Sequence, residues 1–107
     1  MKEIELIKLT KGEVRNLTGQ ERGVAARKFF NLDEIDEAGE PVRVVVPDDL
    51  DAITTSFFQG MFSSSVRSAN SAEAFLDRYR FEARSSIMEQ VVRGINRILT
   101  PRGSALT

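Results

Sequence analysis

Thr54-Thr55-Ser56, followed by Phe57-Phe58, places three hydroxyl side chains where an apolar helical stripe begins. At a helix start the first backbone N–H groups have no intrahelical acceptor and the macrodipole is positive. A hydroxyl there serves as the N-cap, or it accepts a phosphate, whose charge of about −1.5 to −2 suits that position. Thr54, Thr55 and Ser56 all qualify as the cap, and Ser56 and Thr55 are the candidate phosphoacceptors. Just before them, Asp48, Asp49 and Asp51 offer carboxylate oxygens of the kind Mg²⁺ takes. Acids gathered in a turn are ordinarily solvated, and no metal or cofactor is expected. Arg78 and Arg80, with Arg93 and Arg97, make a locally basic set that is expected to be a solvated edge.

Two residue types are missing. The 107 residues contain no His and no Cys. That removes a histidine base, a cysteine nucleophile, disulfides and the usual zinc sites. A hydrolase would have to work with Asp, Glu, Ser and Lys alone, so an enzyme is not expected. A net charge of −1, with 16 acids against 15 bases, argues against a nucleic-acid footprint. No apolar run approaches the roughly 20 residues that span a bilayer. The start, Met1-Lys2-Glu3-Ile4-Glu5, is unlike a secretory signal, so a cytoplasmic location is expected.

The elements that must position these residues follow from periodicity. Residues 3–9 alternate as a first strand, with Lys11-Gly12 as a turn, and residues 14–17 suggest a short second strand. Thr18-Gly19-Gln20-Glu21 has capping-box spacing, and the pattern behind it predicts a helix over 20–38 that bends or breaks at Asn31. Residues 42–46, apolar and β-branched except for Arg43, form a short run of the kind covered on both faces in an α/β sheet. An acidic loop over 47–51 leads to a helix beginning near Ser56. The alternation over 74–82 predicts a strand. Ser86-Ile87-Met88-Glu89 is a second capping-box spacing, opening a last helix with Ile87, Val91, Ile95, Ile98 and Leu99 on its stripe. The expected fold is α/β, a small mixed β-sheet of about three to five strands with helices packed against it. One domain covers 1–100, followed by a tail over 101–107.

The helix after Ser56 has two unlike faces. Phe57, Phe58, Met61, Phe62 and Val66, with Ser65 in the same row, make the apolar stripe. Ser56, Gly60, Ser63, Ser64 and Arg67 project away from it. Gly costs about 0.5–1 kcal/mol in a helix interior relative to Ala. A smooth surface that another backbone approaches is one reason to accept that cost, and a merely solvated surface is the other.

Three segments resemble the STAS-like family, small bacterial domains related to the STAS fold of anti-sigma factor antagonists: Gly23-Val24-Ala25-Ala26-Arg27, Val42-Arg43-Val44-Val45-Val46 and Leu50-Asp51-Ala52-Ile53-Thr54-Thr55-Ser56-Phe57. The likeness runs over residues 20–99. In the antagonists the matching turn reads Asp-Ser-Ser-Gly, and a partner kinase phosphorylates its second Ser. Here Thr54 stands at the Asp, Thr55 at the first Ser, Ser56 at the phosphorylated Ser and Phe57 at the Gly. The resemblance implies a STAS-like plan and a non-catalytic regulatory module. Its implied partner is a protein, an anti-sigma-type or histidine-kinase-like ATPase, and Ser56 is the switch. The expected docking residues are Thr54, Ser56, Gly60, Ser63, Ser64 and Arg67. The competing expectation is an assembly subunit that forms homodimers or hetero-oligomers without phosphorylation.

Overall fold

A computed structural model describes residues 2–100; the tail expected over 101–107 lies outside them. Three parallel strands form the main sheet in the order β1 (Lys2–Glu5), β3 (Val42–Val45), β5 (Tyr79–Glu82). A second, two-stranded parallel ladder pairs β2 (Asn16–Leu17) with β4 (Ala52–Ile53). The helices are α1 (Ile7–Thr10), α2 (Gln20–Phe29), α3 (Leu32–Ala38), α4 (Thr55–Ala69), α5 (Ala72–Arg78) and α6 (Ser85–Leu99). The class is α/β, and every described strand pairing is parallel, where a mixed sheet was expected.

The main sheet is covered on one face. Ile4, Val42, Val44, Val46 and Tyr79 point inward and are buried. The other face carries the row Glu3, Arg43, Arg80 and the row Glu5, Val45, Glu82 in register. Residues 42–46 are therefore not sandwiched, contrary to the expectation from their apolar run. Arg43 stabilises the open face by reaching Glu3 at 2.9 Å and Glu82 at 3.0 Å. These ion pairs are exposed and weak individually, but they give a parallel sheet a wettable outer surface.

Several boundaries differ from expectation for local reasons. The first strand stops at Glu5, because Leu6 turns inward and the next residues wind into α1, which ends at Lys11 in the left-handed region. Asn31, also left-handed (φ 56°), separates α2 from α3, as its position suggested. Neither capping box forms. Gly19 at φ 89° is the N-cap of α2 and Arg84 that of α6, both without a side-chain cap bond. The segment over 74–82 divides. Ser71 Oγ accepts the Ala74 N–H at 3.1 Å, starting α5, and only Tyr79–Glu82 is extended. The same residues also carry a helical spacing, Ala72, Phe75, Leu76 and Tyr79, which packing selected over the alternation.

Helix α4 lies at the centre. Phe57, Phe58, Met61, Phe62, Ser65 and Val66 are buried, as the stripe predicts. Phe58 and Phe62 join Phe75 of α5 and Tyr79 and Phe81 of β5 in one aromatic cluster, with ring centroids 5.0–6.2 Å apart. Gln90 of α6 accepts the Ile53 N–H at 2.7 Å and so fixes the short strand that leads into α4.

Helix α2 has little apolar surface, burying only Gly23 and Ala26. It compensates by proximity. A Cβ at Gly23 would overlap the Phe57 carbonyl oxygen and lie 2.8 Å from Met61 N and 3.0 Å from Gly60 Cα. A Cβ at Gly60 would overlap the Gln20 carbonyl oxygen and lie 3.0 Å from Val24 N. The two backbones touch where both helices lack side chains, so Gly60 is required by the fold of this chain. Propensity alone says that Gly60→Ala gains about 0.5–1 kcal/mol. The packing predicts the opposite sign, a loss of about 2–3 kcal/mol from overpacking against backbone that cannot yield. Urea unfolding of Gly60→Ala checks this.

Candidate functional site

Beside the glycine contact, one arginine ties three elements together. Arg27 Nη1 donates to the Met61 carbonyl at 3.0 Å and to Ser65 Oγ at 2.9 Å, both on α4. Its Nε and Nη2 donate to Asp33 at 3.0 and 2.7 Å, and Nη2 also reaches Asp36 at 3.0 Å. Asp36 in turn accepts from Ser65 Oγ and from the Tyr79 hydroxyl, each at 2.6 Å. Arg78 donates to the Asp36 carbonyl. Helices α2, α3 and α4 and strand β5 are thereby locked at one point.

The electrostatics of this cluster are those of a clamp. Burial opposes the charge on Arg27, but the bonds to Asp33 and Asp36 outweigh it and hold the guanidinium above its ordinary pKa. Burial, and then the bond to Asp36, push the Tyr79 phenol well above its ordinary value. Ser65 is only 3% exposed, and its hydroxyl proton goes to a carboxylate already loaded with donors. That arrangement orients helices and leaves no accessible nucleophile. Sequence reasoning saw Ser65 only as a filler of the apolar row and missed its partners Arg27 and Asp36, and with them Tyr79, which shares Asp36. A hydroxyl inside a Phe-rich stripe was the available signal, since a buried polar group needs a partner.

The three hydroxyls at the start of α4 sit in different surroundings. Thr54 is the N-cap, accepting the Phe57 N–H at 3.3 Å, and its hydroxyl also lies 3.3 Å from the Leu17 carbonyl. Thr55 is half-buried. Ser56 is exposed in the first turn, its Oγ 3.2 Å from Thr54 Oγ1. Next to this turn, a cleft of about 410 Å³ is lined by Val14, Leu17, Thr18, Ala25, Phe29 and Phe57, among others. It is mainly apolar, and Phe29 on its wall is 60% exposed. In the acidic loop, Asp51 faces Arg15 at 3.7 Å and Arg84 at 3.9 Å, while Asp48 and Asp49 are exposed. Among the described residues no three acids gather closely enough to hold a metal ion.

The outer face of α4 is split by α2, which crosses it at Gly60. Beyond the crossing, Gly60, Ser63, Ser64 and Arg67 line a polar groove of about 460 Å³. Gln20 and Val24 of α2, Gln59, Arg97 and Ile98 of α6, and Thr100 complete it. The structure thus brings four of the expected docking residues together and leaves Thr54 and Ser56 outside that groove. The expected basic set is dispersed: Arg78 serves Asp36, Arg80 lies against Asp77, and Arg97 faces the groove. Comparison with protein-family models, with curated proteins and with solved structures finds no match.

Tyr79 is the chain's single tyrosine, and there is no Trp, so its ionisation can be followed by ultraviolet absorbance without interference. Its folded pKa is raised above the unfolded value of about 10. Its contribution to stability is therefore fully present below pH 10 and is lost as pH rises above it. Tyrosinate absorbance should appear only together with unfolding. Tyr79→Phe should flatten that alkaline loss and lower stability at neutral pH by about 1 kcal/mol.

Proposed function

We propose that the protein is a non-catalytic regulatory module of the STAS-like type, in which a protein partner docks over the start of α4 and Ser56 is the switch residue. The observation that carries this reading is Ser56 itself. Its side chain is exposed at the positive end of a 15-residue helix, and Thr54 already supplies the cap. Folding therefore leaves the Ser56 hydroxyl available for modification. The neighbouring cleft, lined by Phe57, the residue after Ser56, and by Phe29 and Val14, offers apolar surface. Apolar surface rimmed by polar groups is what a protein partner needs for an anchor.

A kinase-like ATPase of the anti-sigma type is the partner class that fits. Phosphate on Ser56 would place about two negative charges at the helix start, where the dipole tolerates them. The switch would act by altering the charge and bulk of the docking surface while the domain stays folded. Among the described residues, no helix is long and apolar enough to cross a membrane, and a cytoplasmic location belongs to this proposal. The assembly alternative is weaker, because the backbone approach that Gly60 permits is already made by α2 within the chain.

Two substitutions separate capping from switching. Thr54→Ala should cost about 1 kcal/mol through the lost cap. Ser56→Ala should stay within about 0.5 kcal/mol of the parent. Intact-mass analysis of protein purified from its native host should show a phosphate adduct that Ser56→Ala abolishes. An unmodified chain under every partner and ATP condition contradicts the switch.

A further inference from the structure

We propose that the polar groove between α2, α4 and α6 is a binding site for a small phosphomonoester, a function separate from the Ser56 surface. Arg67 and Arg97 come from different helices and open into the same concavity of about 460 Å³. Among the described residues neither forms an ion pair. The lining contains no Asp or Glu among the described residues, in a chain with 16 acids. Each arginine sits in the last turn of its helix, where a cation complements the C-terminal dipole. That accounts for one arginine per helix. It does not account for two such turns converging on one acid-free hollow.

The donor set selects the ligand. Besides the two guanidiniums, the groove presents the hydroxyls of Ser63, Ser64 and Thr100 and the amides of Gln20 and Gln59. A carboxylate has two oxygens and one charge, too few for these donors. A phosphate monoester brings three terminal oxygens and close to two negative charges at neutral pH, matching the two arginines. The groove is also larger than a bare phosphate ion. Val24 and Ile98 provide the apolar wall against which the esterified body would lie.

The test is a nuclear magnetic resonance titration of the ¹⁵N-labelled full chain with inorganic phosphate and with phenyl phosphate, against sodium chloride at matched ionic strength. Saturable shifts confined to residues 20–24, 59–67 and 97–100, which line the groove, are expected, with phenyl phosphate the tighter ligand. Arg67→Gln and Arg97→Gln should each weaken binding about tenfold, with unchanged circular dichroism. Shifts that chloride reproduces, saturable shifts elsewhere, or unaltered affinity in both arginine variants would overturn the proposal. Binding of a Glu-rich peptide in the groove without phosphate binding would also overturn it, assigning the groove to an acidic protein segment. None of these outcomes bears on Ser56, because the serine lies outside the groove.

Discussion

The contact between Gly23 and Gly60 is the constraint on which the rest of the structure depends. An α2 helix that buries only Gly23 and Ala26 cannot be held by the usual apolar stripe. Removing both side chains lets the backbones meet, which multiplies short-range dispersion contacts and brings Arg27 within reach of the Met61 carbonyl and Ser65. Arg27 can then gather Asp33 and Asp36 behind it, and Asp36 reaches Tyr79 on the sheet. Proximity comes first, and the polar clamp is satisfied only because of it. Without the close approach, Arg27 and Asp36 would be partly buried charges with incomplete partners, a costly state.

The hydroxyl-rich composition of α4 becomes intelligible in these terms. Thr54 ends the strand and caps the helix. Ser65 connects the helix to the clamp. Gly60 admits α2, and Ser63 and Ser64 line the polar groove past the crossing. Ser56 is exposed and touches only the capping hydroxyl of Thr54, at 3.2 Å, which is why functional interest falls on it. Burial of Phe57, Phe58, Met61 and Phe62, at roughly 1.5–3 kcal/mol each, exceeds the propensity lost to Gly and Ser. The helix can therefore carry these residues for reasons other than its own stability.

Much of this was legible in the residues, though unevenly. The α4 stripe, the break at Asn31 and the core row of α6 were visible because each is a local pattern of period 3.6. The division of residues 74–82 into helix and strand was not, because those residues satisfy both periods and only packing decides. The smooth face of α4 was recognised, but not its occupant. That the approaching backbone is α2 of the same chain depends on a pairing of Gly23 with Gly60 that lies far apart in sequence. Asp36 and Tyr79 were hidden for the same reason, since each belongs to the cluster only after the chain has folded. The open outer face of the sheet was obscured by Val45, which left Arg43 as the one polar residue in an otherwise apolar run over 42–46.

The most direct measurement of the central contact is a nuclear Overhauser experiment between the α protons of Gly23 and Gly60. A proton at the Cβ position of Gly23 points at Gly60 Cα, a Cβ there lying 3.0 Å from it. A strong cross-peak between these protons is predicted, together with one from the Gly23 α protons to the Met61 amide. If both are absent while the Phe58–Phe75 ring contacts are present, α2 does not lie on α4 and the account of the clamp is contradicted.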